Sequence, residues 1–363
     1  MRTTPLTVAI AVLGALLAAA APAQSPPVPA AAPPASPESV SLRPSFVKGQ
    51  AFSYSFVITA QLRQSGPQAP EPVQTTTTHT GSLRLNVLDV DAEGVATLSA
   101  VIPALTIALE DARGASVATA VRPDEPDEPD EPGPEPEPKA EPDPADETSR
   151  LLASVARALT RAVIRFDVTP EGNVRRIVGL DAAAEAAAAD SDIGPIALGV
   201  FAPGSITRTF ERLWLLDAPL DDAEDAALPE AWPRRAAGNQ WTLRDARPLA
   251  YGEIAGIART HTLEPLPDPE SPDERFQVVM SGTGRLPGKR ADPDPTVPML
   301  TLNTWEERGS AVWNSAANRI ARRDETVTTE LTATLGDRSR TSRVQMKLTF
   351  EASRPGEPAT ASP

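Results

Sequence analysis

From Phe52 to Ile58 the apolar side chains fall on alternate positions, Phe52, Tyr54, Phe56 and Ile58, with Ser53, Ser55 and Val57 between them. A period of two puts successive side chains on opposite faces of an extended chain, so the pattern predicts a half-buried strand over Ala51 to Leu62. The alternation is strictest later, where Val344, Met346, Leu348 and Phe350 interleave with Gln345, Lys347 and Thr349. Val327 to Leu335 reads as the hairpin partner of that strand across Gly336-Asp337. Thr75 to Val90, Val95 to Ile102, Phe276 to Met280 and Leu300 to Trp305 read as further strands. Helical spacing is rarer. Leu151, Val155 and Leu159 share a face of a helix from Thr148 to Ala162, capped by Thr148 or Ser149. Asp181 to Ala189 is an Ala-rich helix, and Ile206, Phe210, Leu213 and Trp214 form one stripe behind a Ser205 cap, read as packing on a sheet. The expected fold class is mainly β (α+β), with two similar antiparallel β-sheet units and a few covering helices.

The two units are read from recurring landmarks. Val163 to Ile177 and Ser310 to Ile320 both run from an aromatic-polar step (Phe166-Asp167, Trp313-Asn314) through a turn that tolerates positive φ (Gly172, Asn318) into a basic strand. Gly49-Gln50-Ala51-Phe52 is matched by Gly238-Asn239-Gln240-Trp241, and His79-Thr80 by His261-Thr262. The intervals disagree by about the length of a low-complexity insert, residues 111–147, whose removal makes them nearly equal. The first β-rich unit is therefore placed at 45–217 and the second at 238–352, with an acidic, Pro-interrupted connector at 218–237 and a loose tail at 353–363.

Composition changes the picture at the N-terminus and in the insert. Residues 1–23 carry Arg2, an apolar run from Leu6 to Ala21 and an Ala21-Pro22-Ala23 cleavage site, which reads as an export signal too short to span a bilayer. A Pro/Ala-rich disordered spacer follows over 24–44. The chain of 363 residues has 40 prolines and a formal charge of -15. Ten acidic residues against one Lys between Pro123 and Pro144 supply about -9 of this. Stacked like charges and proline leave that stretch nothing to bury, so it is expected to be disordered and dispensable for folding. Two functional readings of it are a cation sponge and a tether to a basic envelope partner. An acidic balance argues against nucleic acid, which demands a basic face. No cysteine is present, which removes disulfides, thiolate metal sites and a Cys nucleophile together.

Candidate chemistry is thin. His79 and His261 are the only histidines and fall at matching landmarks; brought together they would suit a metal or acid-base pair, but each lies beside Thr on a strand and reads as solvated. Asp89 to Gly94 (DVDAEG) opens like a calcium loop and lacks the closing Glu, since Ala100 stands there, so it reads as a hairpin turn. Ser45-Phe46-Val47-Lys48 fits S-x-x-K without its companion motifs, and Gly282-Thr283-Gly284 reads as a Gly-rich turn. No catalytic, cofactor-binding or metal residue is assigned, and no cofactor is expected.

The Gly-x-x-aromatic opening, the aromatic-Asp/Asn hairpin and the export signal together resemble a group of secreted β-rich proteins to which no activity is assigned. There a unit often begins with Gly-polar-x-Trp after Leu-Pro, as Leu228-Pro229 precedes Gly238 to Trp241 here. Phe52 departs from this by standing where the group has Trp. The leading expectation is an extracytoplasmic, periplasmic or secreted, non-catalytic protein that binds an apolar ligand or a cell-envelope partner, with no transmembrane anchor in the mature chain. The alternatives are an extracytoplasmic hydrolase using a carboxylate pair and a structural surface protein.

Overall fold

A computed structural model describes residues 39–66, 69–112, 114–122, 144–170, 172–179, 210–214, 234–248, 254–267, 269–286 and 297–353. The export signal, most of the spacer, the acidic repeat and the Asp181 to Ala189 helix lie outside the described residues.

Alternation becomes strand almost everywhere the sequence shows it. In chain order the elements are β1 (Ser39–Ser41), β2 (Ala51–Gly66), β3 (Ala69–Val90), β4 (Ala96–Asp111), β5 (Gly114–Val121), α1 (Pro144–Arg161), β6 (Ile164–Val168), β7 (Val174–Val178), β8 (Arg234–Ala236), β9 (Gln240–Pro248), β10 (Ile254–Pro265), β11 (Phe276–Arg285), β12 (Met299–Asn314), β13 (Arg319–Leu335) and β14 (Arg338–Ala352). The fold is mostly β. Twelve strands form one antiparallel sheet in the order β7-β6-β4-β3-β2-β14-β13-β12-β11-β10-β9, with β5 also on β4, while β1 and β8 make a separate ribbon. The two β-rich stretches are thus continuous with each other: the first long strand, β2, pairs with the last, β14, from Tyr54 opposite Ala352 to Ser65 opposite Thr341. Residues 39–44, read from sequence as the end of the spacer, carry β1, and Val40 and Leu42 are buried against Trp241, Leu263 and Trp313; the insert expected to be disordered over 111–147 likewise begins with an ordered strand, β5, paired with β4 from Ala104 opposite Val121 to Asp111 opposite Gly114.

One face of the sheet is mostly apolar. Leu98, Leu85, Phe52, Tyr54, Phe350, Leu348 and Val278 are all at most 4% exposed and share the inner side. The strands are long, β3 reaching roughly 70 Å at about 3.3 Å per residue. Bulges shift the register within β3–β4, β12–β13 and β6–β7, and such insertions bend a sheet toward its covered face. Gly81 permits a further close approach: a Cβ there would stand 2.8 Å from Phe56 Cζ, so that ring lies over the bare backbone. The helix α1 begins four residues before its expected cap. It buries Leu152, Val155, Ala156 and Leu159 in the same cluster as Leu105, Ile107, Ala118 and Ala120, leaving Leu151 half-exposed. Arg122 Nη1 donates to the Thr160 and Ala162 carbonyls at 2.9 and 3.0 Å, which satisfies groups the helix end leaves open.

The entry turns of the two β-rich stretches share one hydrogen-bond scheme. Gly49 (φ +82°) donates to the Val87 carbonyl and Val87 to that of Gln50, both at 2.9 Å. Gly238 (φ +86°) donates to Leu263 at 2.8 Å and Leu263 to Asn239 at 3.0 Å. In each turn the side-chain amide oxygen, Gln50 Oε1 or Asn239 Oδ1, accepts from the backbone nitrogen three residues earlier. This scheme corrects the landmark matching. Phe52 pairs with Leu85 and Trp241 with His261, so the counterpart of His261 is Leu85 and that of His79 is Ala255. The hairpins are likewise offset by two, because Leu98, opposite Phe166, corresponds to Val278, which stands opposite Ala311. Phe166 and Trp313 are nonetheless both buried, at 1% and 0%, in separate clusters.

A buried polar island as the candidate functional site

Three neighbouring inner rows cross β10 to β13 and interrupt the apolar face. The middle row runs His261, Met280, Gly309, Glu325; on one side lie Arg259, Gly282, Glu307, Val327, and on the other Leu263, Val278, Ala311, Arg323. Strand parity puts these charges inside. Trp305 and Trp313 both face inward on β12, so Glu307, at an even spacing between them, must do so too. Glu307, Glu325, Arg323 and His261 are 2%, 4%, 4% and 1% exposed.

Each carboxylate of the island is paired, and three guanidiniums face two carboxylates. Arg259 Nε lies 2.5 Å from Glu307 Oε1. Arg323 holds Glu325 Oε2 through Nε at 3.0 Å and Nη2 at 2.9 Å. Arg212, from the described turn 210–214, brings Nη2 to 2.7 Å from Glu325 Oε1, out of line for a hydrogen bond, while its carbonyl accepts from Arg323 Nη1 at 2.9 Å. That turn reaches the other end of the sheet through aromatic rings: Phe210 stacks on Phe166 at 4.4 Å, and Trp214 meets Phe46 edge-on at 5.8 Å. It therefore straps the two halves of the inner face together. Of the expected stripe there, Phe210, Leu213 and Trp214 are buried; Ile206 lies outside the described residues.

Glycine makes room for the carboxylates. A Cβ on Gly282 would stand 2.7 Å from Glu307 Cβ and 3.2 Å from its Oε2, so the carboxylate lies across bare β11 backbone on its way to Arg259. Gly282-Thr283-Gly284 is thus mid-strand, not the turn that its composition suggested, because Gly in a strand here serves close approach rather than reversal.

Burial alone would raise the Glu325 carboxyl, but Arg212, Arg323 and Arg259 outweigh it and hold it down at about 2. Burial, with Arg323 and Arg259 nearby, pushes His261 down to about 3, and its ring stacks on Trp241 at 5.5 Å. His79 is pushed down to about 4 by burial. Both histidines point to the inner face rather than to solvent as their Thr neighbours suggested, His261 buried and His79 half-buried. They share one transverse row, six strand steps apart, about 29 Å along the sheet at about 4.8 Å per step, and do not form a pair on that row.

The other motifs resolve simply. Asp91 Oδ1 accepts from the Glu93 and Val95 nitrogens at 2.9 and 2.8 Å, closing the β3–β4 hairpin as an Asx turn. Lys48 is exposed and pairs with Asp89 at 2.8 Å. Among the described residues no three His, Asp or Glu side chains gather as a metal site would require. Among the described residues the buried side-chain atoms without a hydrogen-bond partner are Glu307 Oε2, Glu325 Oε1, His261 Nδ1 and the indole nitrogens of Trp305, Trp313 and Trp214. Sequence reasoning singled out none of the island's five charged residues. The usable signal was parity, because Arg323 and Glu325 keep step with Val327, and Glu307 with the two tryptophans.

No family model matches the sequence, and no curated protein matches it. Among solved structures, an outer membrane channel from Pseudomonas putida F1 aligns over 85% of this chain and 97% of its own at 7% identity and a TM-score of 0.20, a likeness too slight to carry an argument.

Proposed function

We propose that this is an exported, non-catalytic binding protein that holds an apolar ligand against the inner face of its curved sheet. The observation that carries the reading is the set of buried polar atoms without partners along the inner face. Buried polar atoms in native proteins are nearly always hydrogen-bonded, so the unpartnered Trp305 Nε1 amid Ala255, Ile257, Val327 and Met346, with the unpartnered Glu307 Oε2 two residues along the same strand, suits a ligand that is mostly apolar with a polar end. The N-terminal sequence supports export. The outer face supports an aqueous setting: one row across it reads Thr78, Thr59, Lys347, Thr326, Arg308, Ser281, Thr260. A membrane-spanning barrel turns an apolar band outward and polar residues in, the reverse of this polarity. No helix among the described residues is long and apolar enough to cross a membrane.

The hydrolase reading has one observation in its favour, two buried carboxylates on adjacent strands. A glycosidase-type pair needs one carboxyl kept protonated as the acid, and Glu325 is held in the ionised form by its guanidiniums. The two readings separate experimentally. Native mass spectrometry of the protein purified from its own host should show a bound amphiphile released on denaturation. A bare mass, together with no thermal shift on adding acyl-chain amphiphiles, would refute the binding reading. Turnover of an ester, glycoside or peptide substrate that is abolished by Glu307→Gln would establish the hydrolase instead.

A further inference from the structure

We propose that the exposed arginine stripe of α1 is a docking surface whose occupant is the chain's own acidic segment, residues 123–143. This is independent of the ligand reading above. The helix carries the positive half of the contact. Arg150, Arg157 and Arg161 are seven and four residues apart, so they fall within about 40° of one another around the helix axis. All three are exposed, and they lie opposite Leu152, Val155, Ala156 and Leu159, which face the sheet. From Thr148 to Arg161 the helix has no carboxylate of its own. Asp146 and Glu147 stand four and three residues before Arg150, in reach of that residue alone, so the rest of the stripe takes its anions from outside the helix. Arg157 donates within the helix to the Ala153 carbonyl at 3.4 Å and to Ser154 Oγ at 3.3 Å, neither of them an ionic partner. The following elements keep the sign. Over residues 148–178 six arginines stand against Asp167 and Glu171, in a chain of formal charge -15, and Asp167 is already paired with Arg176 at 2.9 Å.

The path of the chain brings the negative half to it. β5 ends at Val121 beside the far end of α1, because Arg122 Nη1 donates to the Thr160 and Ala162 carbonyls. The helix itself starts at Pro144. The acidic segment therefore leaves from the C-terminal end of α1 and has to return to its N-terminal end, a span of about 27 Å for a helix of 18 residues. Its 21 residues reach about 65 Å at roughly 3.1 Å each in polyproline geometry, ample to follow the helix from end to end. Ten carboxylates and one Lys are thus tied to the stripe's surroundings at both ends. One exposed ion pair contributes little, but attachment at both ends raises the effective concentration to the mM range. The prolines add to this by fixing an extended backbone that has less freedom to lose on docking.

The chain has no cysteine, so two labelling sites can be placed without competing thiols. Gly133→Cys, midway along the acidic segment, and Ser154→Cys, midway along α1 beside the stripe, carry nitroxide labels in the full mature protein, and pulsed electron resonance reads the distance between them. At low salt a single short, narrow distance is expected. It should be lost in 1 M NaCl, where the Debye length falls to about 3 Å. It should also be lost on changing Arg157→Gln together with Arg161→Gln, and in a protein whose ten acidic side chains become amides, from Asp124→Asn and Glu125→Gln through Asp143→Asn, which leaves the helix untouched. A short distance that persists in the amide variant or in 1 M salt, or that is absent from the unaltered protein at low salt, would overturn the proposal. Polyphosphate serves as the probe for an occupant in trans. The amide variant should bind it roughly tenfold more tightly than the unaltered protein, and Arg157→Gln with Arg161→Gln should abolish that gain. Equal binding by the two proteins, or a gain that survives the loss of both arginines, would show that the acidic segment does not occupy the stripe.

Discussion

Glu325 answers two guanidiniums with one carboxylate, inside a sheet face that is otherwise oil-like. Breaking such a group by removing one partner leaves buried charge uncompensated, so Glu325→Gln should cost about 3 to 5 kcal/mol in urea unfolding. Replacing Arg323 and Glu325 together with Met and Leu should cost much less than that. A loss below about 1 kcal/mol for Glu325→Gln would mean that water reaches the pair. The titrating groups predict the acid limb of stability. Glu325 has a folded value of about 2 against 4.5 ordinarily, so its contribution is complete above pH 4.5 and is lost as the pH falls toward 2. His79 and His261 have folded values of about 4 and 3 against 6.5, so the unfolded chain takes up their protons first and stability already declines as the pH falls below 6.5. Converting both histidines to Gln should flatten the slope from pH 6.5 down to about 3 and leave only the fall that Glu325 supplies below pH 4.5. An unchanged slope above pH 4.5 would show that neither ring is held neutral.

At the scale of the strand, glycine positions divide into two kinds. Gly309 is inward, and a Cβ there would meet the Asp324 carbonyl at 2.5 Å, so Gly309→Ala should destabilise by about 1 to 3 kcal/mol. Gly256 is exposed on β10 with nothing nearer than 4.0 Å, and Gly256→Thr should stabilise by up to about 1 kcal/mol through better strand propensity. Melting the two variants beside wild type checks both signs. Strands of this kind were legible because one side of each is wet: Phe52 to Ile58 and Val344 to Phe350 alternate cleanly, and the Gly336 turn between β13 and β14 lies where Gly-Asp marks it. The interior charges were not legible, because Glu306-Glu307-Arg308 reads as a polar stretch until parity with Trp305 and Trp313 is imposed. The likeness of the two entry turns was visible in the sequence, but the register that follows from it was not. His79 and His261 resembled each other only in having Thr next to them, whereas the hydrogen bonds of Gly49 and Gly238 fix the true offset.

For the whole molecule the decisive contact is the pairing of β2 with β14, which no local pattern announces. It places Leu348 and Phe350, from the far end of the chain, in the same core as Phe52, Tyr54 and Phe166. The strap adds a second tie, since Phe210 and Trp214 belong to that core while Arg212 is ionically bound to β13. The molecule should therefore unfold in one cooperative step, with calorimetric and van't Hoff enthalpies in agreement. Two resolved transitions would show that the halves are energetically separate despite their shared sheet. Phe166→Ala and Trp313→Ala, each opening a cavity in one of two clusters, should each cost about 3 to 5 kcal/mol and lower that single transition as a whole.

The pairing of the first long strand with the last also sets a timetable. As a ribosome or a translocation channel delivers the chain from its N-terminus, Ala51–Gly66 emerges early and can pair with β3 on one side at once. Its other edge must wait until Arg338–Ala352 arrives. Throughout that interval a long strand edge and half of an oily face stand uncovered, the condition under which chains associate with one another instead of with themselves. Refolding from denaturant should therefore grow less efficient as protein concentration rises.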